Sequence, residues 1–281
     1  MPMNDAAEPR PPIDPARLAV PGGWRIEVEE ATPSTNAALA ERARAGEEPG
    51  FVLFTEHQTA GRGRRDRRWE APPGSSLLLS VLTRPTALGL ADDEVHLVPT
   101  ALGVAAAEAA RDVTGADIRL KWPNDLVVTD ADGVTRKLAG LLAETVVDAG
   151  HVAALVVGLG INVNWPDRLP AGLAGTATAL NHLTGADVDR SALLGALLVG
   201  FDRGYGGLGA PGSRVALGAR HRELSATIGR RVRVETPAGV VVGDAVDVDG
   251  EGRLLVVDEC PDRPRALSVG DVVHLRPEPR A

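Results

Sequence analysis

The chain is poor in several residues whose scarcity limits what it can be. It has one cysteine, Cys260, so no internal disulfide can close the fold, and a reducing compartment, the cytoplasm, is expected. Aromatic residues make up only 3% of the 281 residues while 44% are hydrophobic, so the core must be built from Val, Leu and Ala. No apolar run approaches the ~20 residues that span a membrane. The N-terminal M-P-M-N-D-A-A-E-P-R-P-P has neither a cationic start nor an apolar stretch, which excludes a secretory signal there.

Lysine is the scarcest charged residue. Of 30 basic side chains, only Lys121 and Lys137 are not arginine. An arginine bias of this kind follows from a GC-rich genome. Two lysines kept in one short segment nevertheless indicate a need for a compact, mobile ammonium rather than a guanidinium fork. They mark residues 121–137 as one chemical centre.

Another centre lies upstream. From Gln58 to Trp69 the chain reads Q-T-A-G-R-G-R-R-D-R-R-W, and five of the eight residues from Gly61 to Arg68 are arginine. The protein as a whole is acidic, with a formal net charge of -8. Glycines allow close backbone approach, and arginines present planar donor forks to phosphate or carboxylate. The stretch reads as a flexible anion-binding loop whose like charges repel until a ligand neutralises them. A solvated surface loop and a nucleic-acid patch remain alternatives at this point.

The remaining pattern is that of an α+β protein. Residues 1–20 are rich in Pro and charge and are expected to form a disordered tail. Residues 24–28, 51–56 and 76–82 read as strands. Ser34-Thr35-Asn36 caps a helix that stops at Gly46. A long helix is expected over 92–112, with Pro99 kinking it or marking its start. Residues 118–122 are extended before Pro123. Residues 126–128 and 136–147 form a hairpin with a turn at Asp132-Gly133, and residues 152–157 form an apolar strand. Helices are expected over 189–202 and 213–224, with a Gly/Pro-rich link at 204–212. From about Thr227 short alternating strands follow, the pattern of a small barrel or sandwich. The expected division is a tail (1–20), a main unit (21–225) and a C-terminal unit (226–281).

Gly61-Arg62-Gly63 and Gly158-Leu159-Gly160 both fail as dinucleotide fingerprints, and no Walker sequence occurs. Lys121-Trp122-Pro123-Asn124-Asp125 offers a cation and two oxygen donors suited to Mg²⁺, although for these five residues in isolation a plain Pro-Asn-Asp turn is the preferred reading. Lys137 at the mouth of an apolar strand can polarise an anionic oxygen or simply snorkel. The six histidines show no ligand spacing, so no transition-metal site is expected.

In combination these segments resemble the biotin–protein ligases. The matching stretches are S-T-N at 34–36, Q-T-A-G-R-G-R-R at 58–65 with Trp69, K-W-P-N-D at 121–125, K-L-A-G at 137–140, G-L-G-I-N-V-N at 158–164 and G-D-V-V-H-L-R at 270–276. The resemblance implies a mixed sheet flanked by helices, related to class II tRNA synthetases, with a C-terminal SH3-like barrel. It implies the ligase-only type, without an N-terminal DNA-binding domain.

The implied reaction couples biotin and ATP, with Mg²⁺, to biotinyl-AMP. The acyl group then passes to a lysine of the biotin carboxyl carrier domain of an acyl-CoA carboxylase. The implied partners include no DNA and no membrane, and the implied state is a monomer or weak homodimer. Lys137, Arg64 and Arg62 are the implied catalytic residues. Biotin falls to Ser34, Thr35, Asn36, Gln58, Arg62, Gly63, Arg64, Lys137, Gly140 and Gly158. The nucleotide falls to Arg64, Arg65, Arg67, Trp69, Lys121, Asn124 and Asn162, and a magnesium ion to Asp125.

The chain departs from the family at Asp66, where glycine is usual. Either the turn differs there or the aspartate pins a neighbouring arginine. Two other functions remain: a lipoate–protein ligase-like acyl transferase, and a nucleic-acid-binding module using the arginine loop.

Overall fold

The computed structural model describes residues 11–275 except 19, 131–132, 168, 170–171, 259–262 and 269. Cys260, Asp132 of the expected turn, Arg276 and the first ten residues of the expected tail lie outside that set.

A seven-stranded mixed sheet carries the main unit. Its strands are β1 (Arg25–Thr32), β2 (Phe51–Gln58), β3 (Ser76–Thr83), β4 (Ile118–Lys121), β5 (Asp125–Thr129), β6 (Thr135–Asp148) and β7 (His151–Asn162), in the order β1-β2-β3-β7-β6-β5-β4. Only β1 and β2 run parallel, joined through helix α1 (Thr35–Arg44); every other neighbour is antiparallel.

Strand β2 shows why the sheet is two-sided. Val52 and Phe54 enter the main core with α2 (Leu97–Thr114) and α4 (Arg190–Gly207), while Phe51 and Leu53 enter a smaller core under α1. Side chains alternate across a strand, so a continuous apolar run marks a strand buried on both faces.

Helix α2 begins at Leu97, later than the sequence suggested, and residues 92–94 form a 3-10 turn. Pro99 sits in the first turn of α2, where its missing N–H leaves no intrahelical bond unmade. The glycine-rich link is shorter than expected, because α4 runs on to Gly207 and α5 (Pro211–Glu223) starts soon after. Phe201 and Tyr205 of α4 pack on Trp24, with ring centroids 5.3 and 5.9 Å from it. On the facing side, a Cβ at Gly200 would stand 3.3 Å from Ala105 Cβ, so the small residues let α4 lie close on α2. Helix α3 (Leu180–Thr184) completes the unit.

Residues 11–18, expected within a disordered tail, instead pack on the sheet. Ile13 is buried, and its backbone N–H donates to Glu56 Oε1 at 2.7 Å. Arg190, itself buried, donates to Glu56 Oε2 at 2.6 Å and to Pro11 O at 2.7 Å. A buried guanidinium requires acceptors, and this segment supplies one of them.

The C-terminal unit is a five-stranded antiparallel sheet. It contains β8 (Arg231–Thr236), β9 (Gly239–Val248), β10 (Leu254–Val257), β11 (Arg265–Leu267) and β12 (Asp271–His274), in the order β11-β10-β9-β8-β12. The expected barrel is therefore open: β11 and β12 form the two edges and do not pair with each other among the described residues. The three-residue β11 is too short to show periodicity and escaped the sequence reading. Trp122, from the β4–β5 hairpin, is buried in the core of this second unit beside Val232, Val234 and Val272. Among the described residues no helix is long and apolar enough to cross a membrane.

Candidate active site

The arginine stretch forms a tight hairpin beyond the end of β2. Gly63 N–H donates to Arg67 O at 2.7 Å, Arg67 N–H to Arg64 O at 3.2 Å and Trp69 N–H to Gly61 O at 3.0 Å. Arg65 and Asp66 occupy the two central positions with φ of 54° and 58°. Two successive positive φ values mark a type I′ turn, which fits the twist of a two-stranded ribbon. Asp66 thus takes up the left-handed conformation that glycine favours. Among the described residues its carboxylate pairs with no arginine.

Repulsion among the arginines is offset by carboxylates and carbonyls from elsewhere in the chain. Arg62 Nη2 donates to Glu144 Oε2 at 2.7 Å. Arg64 Nη1 reaches Asn124 Oδ1 at 3.2 Å and Gly270 O at 3.4 Å. Arg65 donates to Asp271 Oδ2 and Glu235 O, both at 2.9 Å, and Arg67 also meets Asp271 Oδ2. The second unit therefore holds one side of the hairpin. Burial, opposed by Asp271, pushes the Arg64 guanidinium below its ordinary pKa.

Behind the hairpin lies a cleft of about 190 Å³ whose floor is formed by β6 and β7. Gly158 and Gly160 share one face of β7. A Cβ at Gly158 would stand 2.3 Å from Asn36 Oδ1, and one at Gly160 would stand 2.5 Å from the Trp69 ring. The two glycines let the α1 amide and the indole lie directly on the strand. The Trp69 Nε1 is buried without a partner among the described residues.

A β-bulge in β6 aims Lys137 into the same cleft. Leu126 opposes Ala139 while Val127 opposes Lys137, so Leu138 is the extra residue. The insertion shifts the parity of the strand. Leu138 and Ala139 both enter the core, while Lys137 and Gly140 both face the cleft. Lys137 Nζ lies 5.4 Å from the centroid of the Trp69 ring, a cation–π distance, and 2.6 Å from Asp125 Oδ1. The latter is an ion contact; among the described residues Oδ1 makes no hydrogen bond. Lys121, across the hairpin from Asp125, has its ammonium pKa lowered by burial, against the pull of Asp125. Asn124 donates to Leu141 O at 2.6 Å and accepts from Arg64.

The opposite end of the cleft is polar and uncharged. Gln58 Oε1 accepts from Thr35 N at 2.9 Å and lies 3.2 Å from Thr35 Oγ1. Ser80 Oγ lies 2.8 Å from Thr35 Oγ1 and 2.6 Å from Asn36 Oδ1. The amide oxygen can only accept, so the Ser80 proton points to Asn36. Asn36 Nδ2 donates to Leu142 O at 2.9 Å and Glu144 Oε2 at 2.7 Å. Asn36 is therefore committed to the protein. The Ser34 hydroxyl proton and the Gln58 NH₂ group have no acceptor among the described residues.

Most of the residues singled out from sequence meet here: Ser34, Thr35, Asn36, Gln58, Arg62, Gly63, Arg64, Arg67, Trp69, Lys121, Asn124, Asp125, Lys137, Gly140 and Gly158 all line the cleft. Arg65 and Asn162 do not. Arg65, on the turn, is taken up by the second unit. Asn162, at the end of β7, donates to Thr178 O at 2.9 Å, and its Oδ1 is buried without a partner among the described residues. Sequence reasoning missed Ser80, Glu144 and Asp271. Ser80 left a trace as the one polar residue inside L-L-L-S-V-L; Glu144 and Asp271 matter only through distant partners.

This arrangement has known relatives. Residues 28–162 match the Biotin/lipoate A/B protein ligase family, and residues 227–275 match the Biotin protein ligase C terminal domain. The Biotin–[acetyl-CoA-carboxylase] ligase of Mycobacterium tuberculosis is 37% identical, over 98% of this chain and 100% of that protein. The Bifunctional ligase/repressor BirA of Bacillus subtilis is 27% identical, over 83% of this chain and 70% of that protein. The solved biotin protein ligase from Aquifex aeolicus, in complex with biotin and ATP, superposes with a TM-score of 0.74 at 25% identity, over 90% of this chain and 99% of that one. The chain belongs to the biotin protein ligase family.

Proposed function

We propose that this protein activates biotin with ATP to biotinyl-AMP and pyrophosphate, and then transfers the biotinyl group to a lysine of the biotin carboxyl carrier domain of an acyl-CoA carboxylase. The observation that carries the reading is one cleft with two chemically different ends. Ser34, Thr35 and Gln58 offer uncharged donors and acceptors at one end. Lys137, Arg64 and Arg67 bring cations to the other, with Arg62 held to Glu144 beside Asn36. Biotin has the matching halves, a ureido ring and a carboxylate. A lipoyl group would leave the polar end unpaired.

In the first step the biotin carboxylate attacks the α-phosphorus of ATP and pyrophosphate leaves. A carboxylate needs no general base, so the protein contributes position and charge. Lys137 bridges the carboxylate and the α-phosphate. Arg62, Gly63 and Arg64 lie along the biotin tail and phosphate, with the glycine floor at Gly140 and Gly158 beneath. Arg67, Lys121 and Asn124 serve the nucleotide and Trp69 covers the ligand, while Arg65 and Asn162, outside the cleft, hold the second unit and Thr178 O respectively. Asn36 acts by fixing α1. In the second step the carrier amine attacks the acyl carbonyl and AMP leaves.

The donor set fits a magnesium ion that arrives on the nucleotide. Asp125 and Asp271 are the carboxylates lining the cleft, and no group of three or more His, Cys, Asp or Glu gathers among the described residues. Such an ion keeps water and phosphate oxygens and takes few from protein. Asp125 would hold it, and its contribution is to offset phosphate charge.

The cleft behind the hairpin, lined by Arg62, Arg64, Arg67 and Lys137, favours a small anion over nucleic acid. The single cysteine and the small-molecule chemistry favour the cytoplasm. The direct test incubates the protein with biotin, α-labelled ATP and Mg²⁺. Biotinyl-AMP is expected from the wild type. Lys137→Ala is expected to lower its formation by about 100-fold or more, the loss typical of removing one charge-stabilising donor. Unchanged formation in Lys137→Ala overturns the central assignment.

A further inference from the structure

We propose that Glu144 is a positioning residue that couples the polar end of the cleft to the arginine hairpin through a single oxygen. The inference rests on the proposed function and deepens it. Glu144 lies on β6, further along the strand than Lys137. Its Oε2 accepts from Asn36 Nδ2 and from Arg62 Nη2, each at 2.7 Å. A carboxylate oxygen has two lone pairs, so it can hold both donors at once.

The two donors belong to the two halves of the site. Asn36 lies in the first turn of α1, beside Ser34 and Thr35 of the polar end. Arg62 opens the hairpin that carries Arg64 and Arg67. Glu144 is the acceptor that the structure gives Arg62, whereas Asn36 also has Leu142 O and Ser80. Removing the charge at 144 therefore frees the Arg62 side chain, while α1 stays anchored and the rest of the hairpin stays held by the second unit. An occupant that orders the first turn of α1 fixes Glu144, and Glu144 fixes Arg62. The expected consequence is retention of the acyl adenylate.

The test compares wild type, Glu144→Gln, Arg62→Ala and the double variant in two measurements: the release rate of labelled biotinyl-AMP, and KM for biotin against kcat. Side chains of Arg62 and Glu144 are 44% and 31% exposed, so the pair is partly screened. Each single variant is expected to release the intermediate about fivefold faster, equivalent to ~1 kcal/mol, and to raise KM more than it lowers kcat. The double variant is expected to release it no faster than either single one, and Glu144→Asp to recover part of the retention. Release rates that multiply in the double variant, or a Glu144→Gln or Arg62→Ala rate equal to wild type, overturn the coupling. Arg62→Ala leaves the α1 contacts intact, so the idea is tested even where Glu144→Gln is poorly folded. A wild type that forms no biotinyl-AMP removes the proposed function and this inference together; a wild type that forms it while the variants retain it equally removes only the inference.

Discussion

At the scale of single residues, charge and backbone conformation both lead to measurable outcomes. Asp66 holds a left-handed turn position with φ of 58°, and no partner among the described residues rewards its carboxylate. It also places a negative charge beside arginines that would hold phosphate. Asp66→Gly is expected to slow biotinyl-AMP release roughly two- to fivefold, since glycine meets the same φ without steric cost; a pulse-chase with labelled ATP reads this directly. Two histidines predict the acid limit of the fold. Burial pushes both His221 and His274 down from 6.5 to about 4. Between pH 6.5 and about 4 the unfolded chain binds protons that the folded chain refuses. Stability therefore falls as pH falls through that window and levels off below it. The urea midpoint measured from pH 7 to 4 is expected to drop, and less steeply in His221→Gln.

At the scale of elements, the site depends on two irregularities of otherwise regular strands. The bulge at Leu138 turns Lys137 into the cleft, and the glycines of β7 make room for what lies on top. Gly160→Ala would drive a methyl into the Trp69 ring at 2.5 Å. Overpacking of this kind costs ~1–3 kcal/mol when neighbours must move. The exposed end of the cleft yields more easily than the core, so Trp69 is displaced while the fold is kept. The expected result is a rise of about tenfold or more in KM for biotin, with a melting temperature near that of wild type; an unchanged KM would show that the indole does not cover the ligand.

At the scale of the whole molecule, the two units are joined in both directions. The first unit gives Trp122, whose indole donates to Gly252 O at 3.0 Å and whose backbone N–H donates to Thr227 Oγ1 at 3.1 Å. The second gives Asp271, Glu235 O and Gly270 O to the arginine hairpin. These joints carry different loads. Trp122→Ala removes a buried aromatic from a small core and is expected to cost about 3–5 kcal/mol, visible as a lower urea midpoint. Asp271→Asn keeps the volume and removes the charge shared by Arg65 and Arg67. Its expected effect is a rise in KM for ATP of about three- to tenfold with little change in urea midpoint.

Much of this was legible from the order of residues alone. Strands β2, β3 and β7 announced themselves by apolar runs, α1 by its Ser34 cap, and the cationic centres by arginine density around Gly61 and by the two lysines. These are local properties, set by periodicity, capping and composition. What only the tertiary structure decided is which local features meet. Neutralisation of the arginines by Glu144 and Asp271 joins residues 82 and more than 200 positions apart in the chain. The anchoring of residues 11–18 on Arg190, and the open rather than closed second sheet, likewise depend on partners remote in sequence. Sequence pattern records what a segment prefers by itself; a carboxylate that pins an arginine or a glycine that admits an indole has no signature until the chain has brought the two together.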